Sequence, residues 1–203
     1  DATPYDWVPG QTWHLHLAID DATGAITGAW FDTQETLNGY YHVLRQMLEE
    51  HGIPYKLFTD RRTVFTYKKK SSPSIDEDTF TQFSYACRQL GILLESSSVP
   101  QAKGRVERRH GVFQDRLLKE IALRGLTSIE EVNQLLANVF LQDLNNRFTI
   151  PPVDSRTAHR PLPPGLKLED IFCFEQWRTV QNDWTIRHQN QHYQILSNNR
   201  PLP

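Results

Sequence analysis

Between Trp13 and Ile19, large apolar residues alternate with polar or small ones, the period-two pattern of a strand buried on one face. Asp20-Asp21-Ala22-Thr23-Gly24 then reads as a turn, and the apolar run from Ala25 to Phe31 as the antiparallel partner of that strand. From Gln34 to His51 the spacing becomes helical, with Leu37, Tyr41, Leu44 and Leu48 on one face and Gly52 and Pro54 as the stop. Tyr55 to Thr59 predicts a short strand running into Asp60. Phe80, Phe83, Cys87 and Leu90, with Gly91 behind them, predict a helix, and Ile92-Leu93-Leu94 a further strand. Strands separated by helices imply parallel pairing, so the expected class is α/β: a mixed sheet that begins with a hairpin and is flanked by helices.

Two more helices follow. Gly104 to Arg124 carries Val106, Phe113, Leu117 and Ile121 along one face, and Ser128-Ile129-Glu130-Glu131 is a capping box opening a helix to about Asn146. The proline-rich stretch that begins near Pro151-Pro152 suits a linker, which places a first domain at 1–147, the linker at 148–167 and a small module at 168–203. In that module Gln176 to Val180, Trp184 to Arg187 and His192 to Leu196 look like short strands of a partial β-barrel.

Composition narrows the function classes. The chain has 203 residues, enough for one full core and an appendix. Cys87 and Cys173 lie far apart with no CxxC or His spacing, so neither a disulfide framework nor a zinc site is indicated, and a cytoplasmic setting is expected. No apolar run reaches the roughly 18 residues of a membrane span, and the polar start is not a signal peptide. A net charge of −2 argues against a protein that simply coats nucleic acid. The absence of GxGxxG and GxxxxGK loops disfavours a generic phosphate-binding α/β protein.

Candidate chemistry gathers where strands should end. Asp60 closes a short strand, and Glu107 lies early in the helix after the Ile92–Leu94 strand, at the edge where open α/β sheets bind ligands. Carboxylates without Cys or His suit a hard, oxygen-seeking cation such as Mg²⁺, although both are also ordinary turn and helix-start residues. Pattern alone would add Asp20 as a third carboxylate. His14 and His16 form an HxH pair without a third ligand nearby and are expected to face away from the core.

Four segments carry a resemblance: Asp1 to Trp7, Ala18 to Gly24, Thr59 to Phe65, and Ser98-Val99-Pro100-Gln101-Ala102-Lys103-Gly104-Arg105-Val106-Glu107-Arg108. In order and context they resemble the integrase-type catalytic core of bacterial insertion-sequence transposases, over about residues 1 to 160. The resemblance implies a ribonuclease H-like fold, with catalytic, metal-holding carboxylates at Asp1 in an opening strand, Asp60 and Glu107. It leaves Asp20 and Asp21 as turn formers. It further implies two Mg²⁺ ions, for which Mn²⁺ substitutes, and cleavage of transposon-end DNA followed by joining of the 3′-OH to target DNA. An assembly of several copies on DNA is implied as well. Part of the strand carrying Asp1, and a region that recognises the element's ends, are expected upstream. The 46 residues between Asp60 and Glu107 exceed the family's usual spacing, and Lys68 to Asp78 fill the excess as a surface loop.

Basic residues surround Glu107. Lys103, Arg105, Arg108, Arg109, His110 and Gln114 are the candidate DNA contacts, with Lys103, His110 and Gln114 on Glu107's own side of the helix. A ribonuclease H-like nuclease that only hydrolyses, and a non-catalytic DNA-binding descendant of a transposase, are the competing readings.

Overall fold

The computed structural model describes residues 2–59, 82–96, 100–175 and 178–196. Among them, Asp1–Phe172 form one compact unit and Cys173–Pro203 a second. In the first, β1 (Ala2–Val8), β2 (Gln11–Ile19) and β3 (Ile26–Asp32) make an antiparallel sheet in that order. The expected hairpin is β2–β3, with Leu15 opposite Phe31 and Leu17 opposite Ala29. Strand β1 has little period-two signal of its own, with Pro4 and Asp6 in it, and is held by pairing along β2 from Ala2 opposite His16.

The chain then alternates. Helix α1 (Leu37–His51) starts at Thr36, whose side chain accepts from the Gly39 amide, and stops at Gly52, where φ is +89°. Strand β4 (Lys56–Thr59), helix α2 (Gln82–Gln89) and strand β5 (Leu93–Ser96) follow. β4 and β5 pair in parallel, as the intervening helix predicted. Phe80, expected in α2, lies outside the described residues, as does the Lys68–Asp78 loop.

Alternation along β2 separates two cores. Trp13, Leu15 and Leu17 face α3 (Pro100–Arg124) and the helical run after it, where Phe113, Leu117, Ile121, Val132, Leu136 and Leu144 complete the cluster. Ala18 points the other way, toward α1 and α2, into a cluster of Tyr40, Leu44, Leu48, Phe83 and Cys87. Ala2 of β1 belongs to this second cluster, against which Leu57 of β4 and Leu94 of β5 also pack. The two ladders thus share one core.

His16 corrects the expectation that it faces away from the core. It is fully buried on the α1 side, where Nε2 accepts from the Thr36 amide and Nδ1 lies 3.3 Å from the Trp30 carbonyl. Helix α1 comes close enough to cover it because Gly39 has no side chain: a Cβ there would lie 2.5 Å from the imidazole.

The helix after α3 is one continuous run with an irregularity. Ser128 and Glu131 form the expected capping box for α4 (Ile129–Leu135), a π-helical turn spans Leu136–Phe140, and α5 (Leu141–Phe148) continues. The extra residue per turn buries both Leu136 and Phe140 and leaves Val139 half-exposed.

The outer edge of β3 meets no further strand among the described residues. Three side-chain carboxamides close it. Gln46 of α1 accepts from the Ala29 amide and donates to its carbonyl, Asn133 of α4 does the same for Phe31, and Asn145 of α5 for Ile26. Each amide offers one donor and one acceptor, as a neighbouring strand would.

The stretch expected to be a linker is instead fastened to the core. Arg160 exchanges both backbone hydrogen bonds with Ile53, and its guanidinium donates to the carbonyls of Leu90 and Gly91. Helix α6 (Leu168–Ile171) buries Leu168 and Ile171 in the α1–α2 core, and Phe172 stacks on Tyr41. The division therefore falls at Phe172/Cys173 and not at 147 or 167. Prolines supply extended backbone that can lie along a surface, and a short amphipathic turn then pins it.

The second unit contains a hairpin, β6 (Thr185–His188) and β7 (Gln191–Gln194), joined through Gln189 and Asn190 with φ of +47° and +62°. Asn tolerates that left-handed turn. The expected third strand is not formed at Arg178–Val180, and Gln176 and Trp177 lie outside the described residues.

Two predictions follow from burial. Asn133→Ala strands the buried amide and carbonyl of Phe31 and should lower unfolding free energy by roughly 3 kcal/mol in urea titration. Burial lowers the His16 pKa from 6.5 to about 4, and that of His110, buried on α3, to about 3. The unfolded chain therefore takes up these protons near pH 6.5 while the folded chain does not. Stability should be full above pH 6.5 and fall as pH drops toward 4, and His110→Leu should make the decline of the urea midpoint over that interval shallower.

Candidate active site

Helix α3 lies against β1 and β2 and carries Glu107. Val106, His110, Phe113, Leu117 and Ile121 form its inward stripe. Successive residues turn by about 100° around a helix, so Arg105 and Arg109 occupy one flank of the stripe while Glu107 and Gln114 occupy the other. Glu107 is exposed and makes no hydrogen bond or ion pair among the described residues. Its helix opens after the carboxyl end of β5, where Ser96 pairs with Thr59. Thr59 immediately precedes Asp60, and Ala2 immediately follows Asp1. Asp1 and Asp60 themselves lie outside the described residues.

The β2–β3 turn is built by Asp20. Its carboxylate accepts from the amides of Ala22 and Thr23, and its backbone carbonyl accepts from the Gly24 amide. A carboxylate so engaged is a turn former, as the resemblance implied, and the alternative of Asp20 as a third site carboxylate loses its ground. Asp21 pairs with Arg105 at 2.9 Å.

The candidate DNA contacts divide by environment. Arg108 is exposed and forms no hydrogen bond or ion pair among the described residues, and Gln114 is half-buried on Glu107's flank. Arg105 is exposed although paired with Asp21. The Lys103 side chain lies outside the described residues.

Two candidates are corrected. His110 is 5% exposed and sits in the inward stripe, four residues after Val106 and three before Phe113, so it is covered by the core and out of reach of a phosphate. That spacing was the signal that it belongs with the apolar face. Arg109 is spent internally: Nε and Nη2 donate to the Gly24 carbonyl at 3.1 and 2.7 Å, Nη2 also donates to the Phe148 carbonyl at 2.9 Å, and the guanidinium lies over the Phe148 ring.

Fit to a hard cation rests on the donor set. Asp1, Asp60 and Glu107 offer only carboxylate oxygens, and Glu107 is engaged by none of the described residues, which suits Mg²⁺ or Mn²⁺. Among the described residues no group of three His, Cys, Asp or Glu side chains converges. Neither cysteine is in a disulfide, and among the described residues no helix is long and apolar enough to cross a membrane.

No protein-family model matches the chain. It is 47% identical over 193 residues to the transposase for insertion sequence IS1202 of Streptococcus pneumoniae, covering 95% of this chain and 41% of that protein. It is 32% identical over 202 residues to the putative transposase y4bF of Sinorhizobium fredii, covering 98% of this chain and 43% of that one. The chain thus spans about two-fifths of the length of the curated relatives it matches. Among solved structures, its fold is similar to the HTLV-2 integrase catalytic core domain in complex with magnesium, at a TM-score of 0.50 and 19% identity over 69% of this chain and 83% of that one. It is also similar to a chain of the simian T-cell lymphotropic virus intasome, at a TM-score of 0.51 and 18% identity over 96% of this chain and 63% of that one. The α/β arrangement expected from the sequence is therefore the ribonuclease H-like fold of integrase cores. Along nearly its whole length the chain is thus similar to part of two insertion-sequence transposases, on a fold shared with retroviral integrase cores.

Proposed function

We propose that the chain carries the catalytic core of a transposase that cuts transposon-end DNA and joins the freed 3′-OH to target DNA by metal-dependent phosphoryl transfer. The observation that supports this most is Glu107: an exposed carboxylate with no hydrogen bond or ion pair among the described residues, carried by the helix that follows β5, the parallel partner of the strand that leads into Asp60. Asp1, Asp60 and Glu107 are the residues that hold two divalent cations, Mg²⁺ or Mn²⁺. When bound, the cations activate the attacking oxygen and offset charge on the scissile phosphate. The HTLV-2 core was solved with magnesium, in keeping with this donor set.

The chain's own residues do the rest. Carboxylates orient the cations and take no covalent part, so no Ser or Tyr nucleophile is needed. Arg108 and Gln114, near Glu107 on the helix surface, grip phosphates, with Arg105 at the margin; Lys103, one helical turn before Glu107 in sequence, is a further phosphate contact in this reading. Both transposon-end and target DNA are partners, bound by more than one copy of the chain in the cytoplasm of a bacterium. The module after Phe172 adds to the joining of paired ends.

Neutral replacements test the site. Glu107→Gln, Asp60→Asn and Asp1→Asn should each abolish both cleavage and strand transfer of a labelled terminal duplex in Mg²⁺ without lowering the melting temperature, whereas Asp20→Asn should keep activity. Appreciable joining by Glu107→Gln refutes the assignment, and cleavage without joining by the unmodified chain supports the hydrolase reading instead. Removal of Cys173–Pro203, a cut at the observed boundary, should spare single-end nicking and reduce two-end products on supercoiled plasmid.

A further inference from the structure

The proposed reaction uses Glu107 but leaves unexplained why the neighbouring cation, Arg109, is turned inward. Resting on the reading of Glu107 as a cation ligand, we propose that Arg109 is a positioning residue for it, through a clasp that fixes the rotation and height of α3 against the sheet. The clasp has three parts. The planar guanidinium joins two backbone carbonyls from separate segments, Gly24 in the β2–β3 turn and Phe148 at the end of α5. One turn earlier on the same flank, Arg105 holds Asp21 of that turn at 2.9 Å. The turn and the residues after α5 are themselves joined, because the Ile150 amide donates to the Thr23 carbonyl at 3.0 Å.

Geometry makes the clasp specific. Gly24 has φ of +71°, and a Cβ there would lie 3.1 Å from Nη2, so glycine both makes the turn and admits the guanidinium. The Phe148 ring stacks against the guanidiniums of Arg109 and Arg116, at 5.3 and 5.0 Å. Arg105 and Arg109 grip one flank of α3 and the core stripe seats its centre. A helix held at two of its three sides cannot roll, and Glu107 occupies the third. Loss of the clasp lets α3 turn about its apolar stripe, and a small error in carboxylate placement is enough to slow catalysis by about 100-fold.

Arg109→Lys and Arg109→Gln in the full chain test this. Lysine keeps the charge and glutamine keeps a planar donor, but neither spans both carbonyls. Both variants should nick supercoiled plasmid in Mg²⁺ or Mn²⁺ about 100-fold more slowly than the parent. In EDTA both should bind a short labelled duplex with unchanged affinity and salt dependence, and amide exchange should quicken at Thr23 to Ala25 and over the first described turns of α3. Parental nicking by either variant overturns the proposal. So does a pattern in which lysine is active and glutamine is not, with a salt slope reduced by about one, since that is the signature of a phosphate contact. A Glu107→Gln chain that still nicks overturns the reading of Glu107 and this inference with it. An inactive Glu107→Gln beside a fully active Arg109→Lys overturns the inference alone.

Discussion

Backbone polar groups on the open side of β3 must be satisfied without another strand, and the way this is done fixes the helices around the sheet. Gln46, Asn133 and Asn145 each present one donor and one acceptor to a single residue of β3. A hydrophobic face alone would let a helix slide by a turn at modest cost. A paired amide at Ala29, Phe31 or Ile26 does not, because any slide leaves a buried N–H and C=O without partners. Helices from both sides of the sheet are thereby tied to one strand, and the two cores inherit a common register.

That register reaches the candidate site by a short route. Asn145 secures α5 to Ile26, and three residues later the Phe148 carbonyl receives Arg109. The same Arg109 is bonded to Gly24, two residues before Ile26. The start of β3, the end of α5 and the first half of α3 thus form one hydrogen-bonded corner, and Glu107 stands on the opposite flank of α3, unpaired among the described residues.

Much of this architecture was legible from the residues. The β2–β3 hairpin, α1, the parallel β4–β5 pair and the Ser128 capping box follow from periodicity and turn chemistry, because one face of each element is apolar and the other is not. Strand β1 was not legible by pattern: Thr3, Pro4, Tyr5 and Asp6 carry no clean alternation, and only pairing with β2 makes them a strand. His110 was misread because charge type was weighed above its place four residues from Val106. The three carboxamides were invisible for a different reason. An Asn or Gln on a helix looks like any surface residue until the strand it serves is in place. The Pro-rich segment misled in the opposite direction, since composition that fits a free linker also fits a strap.

That strap has a mechanical consequence. Leu168, Ile171 and Phe172 anchor in the α1–α2 core, and Arg160 grips Ile53 and the end of α2 ahead of them. A pull applied beyond Phe172 is borne first by these anchors in the α1–α2 core. Tension on the chain beyond Phe172 must therefore pull Leu168, Ile171 and Phe172 out of their apolar seats before it can reach the bonds that Arg160 makes.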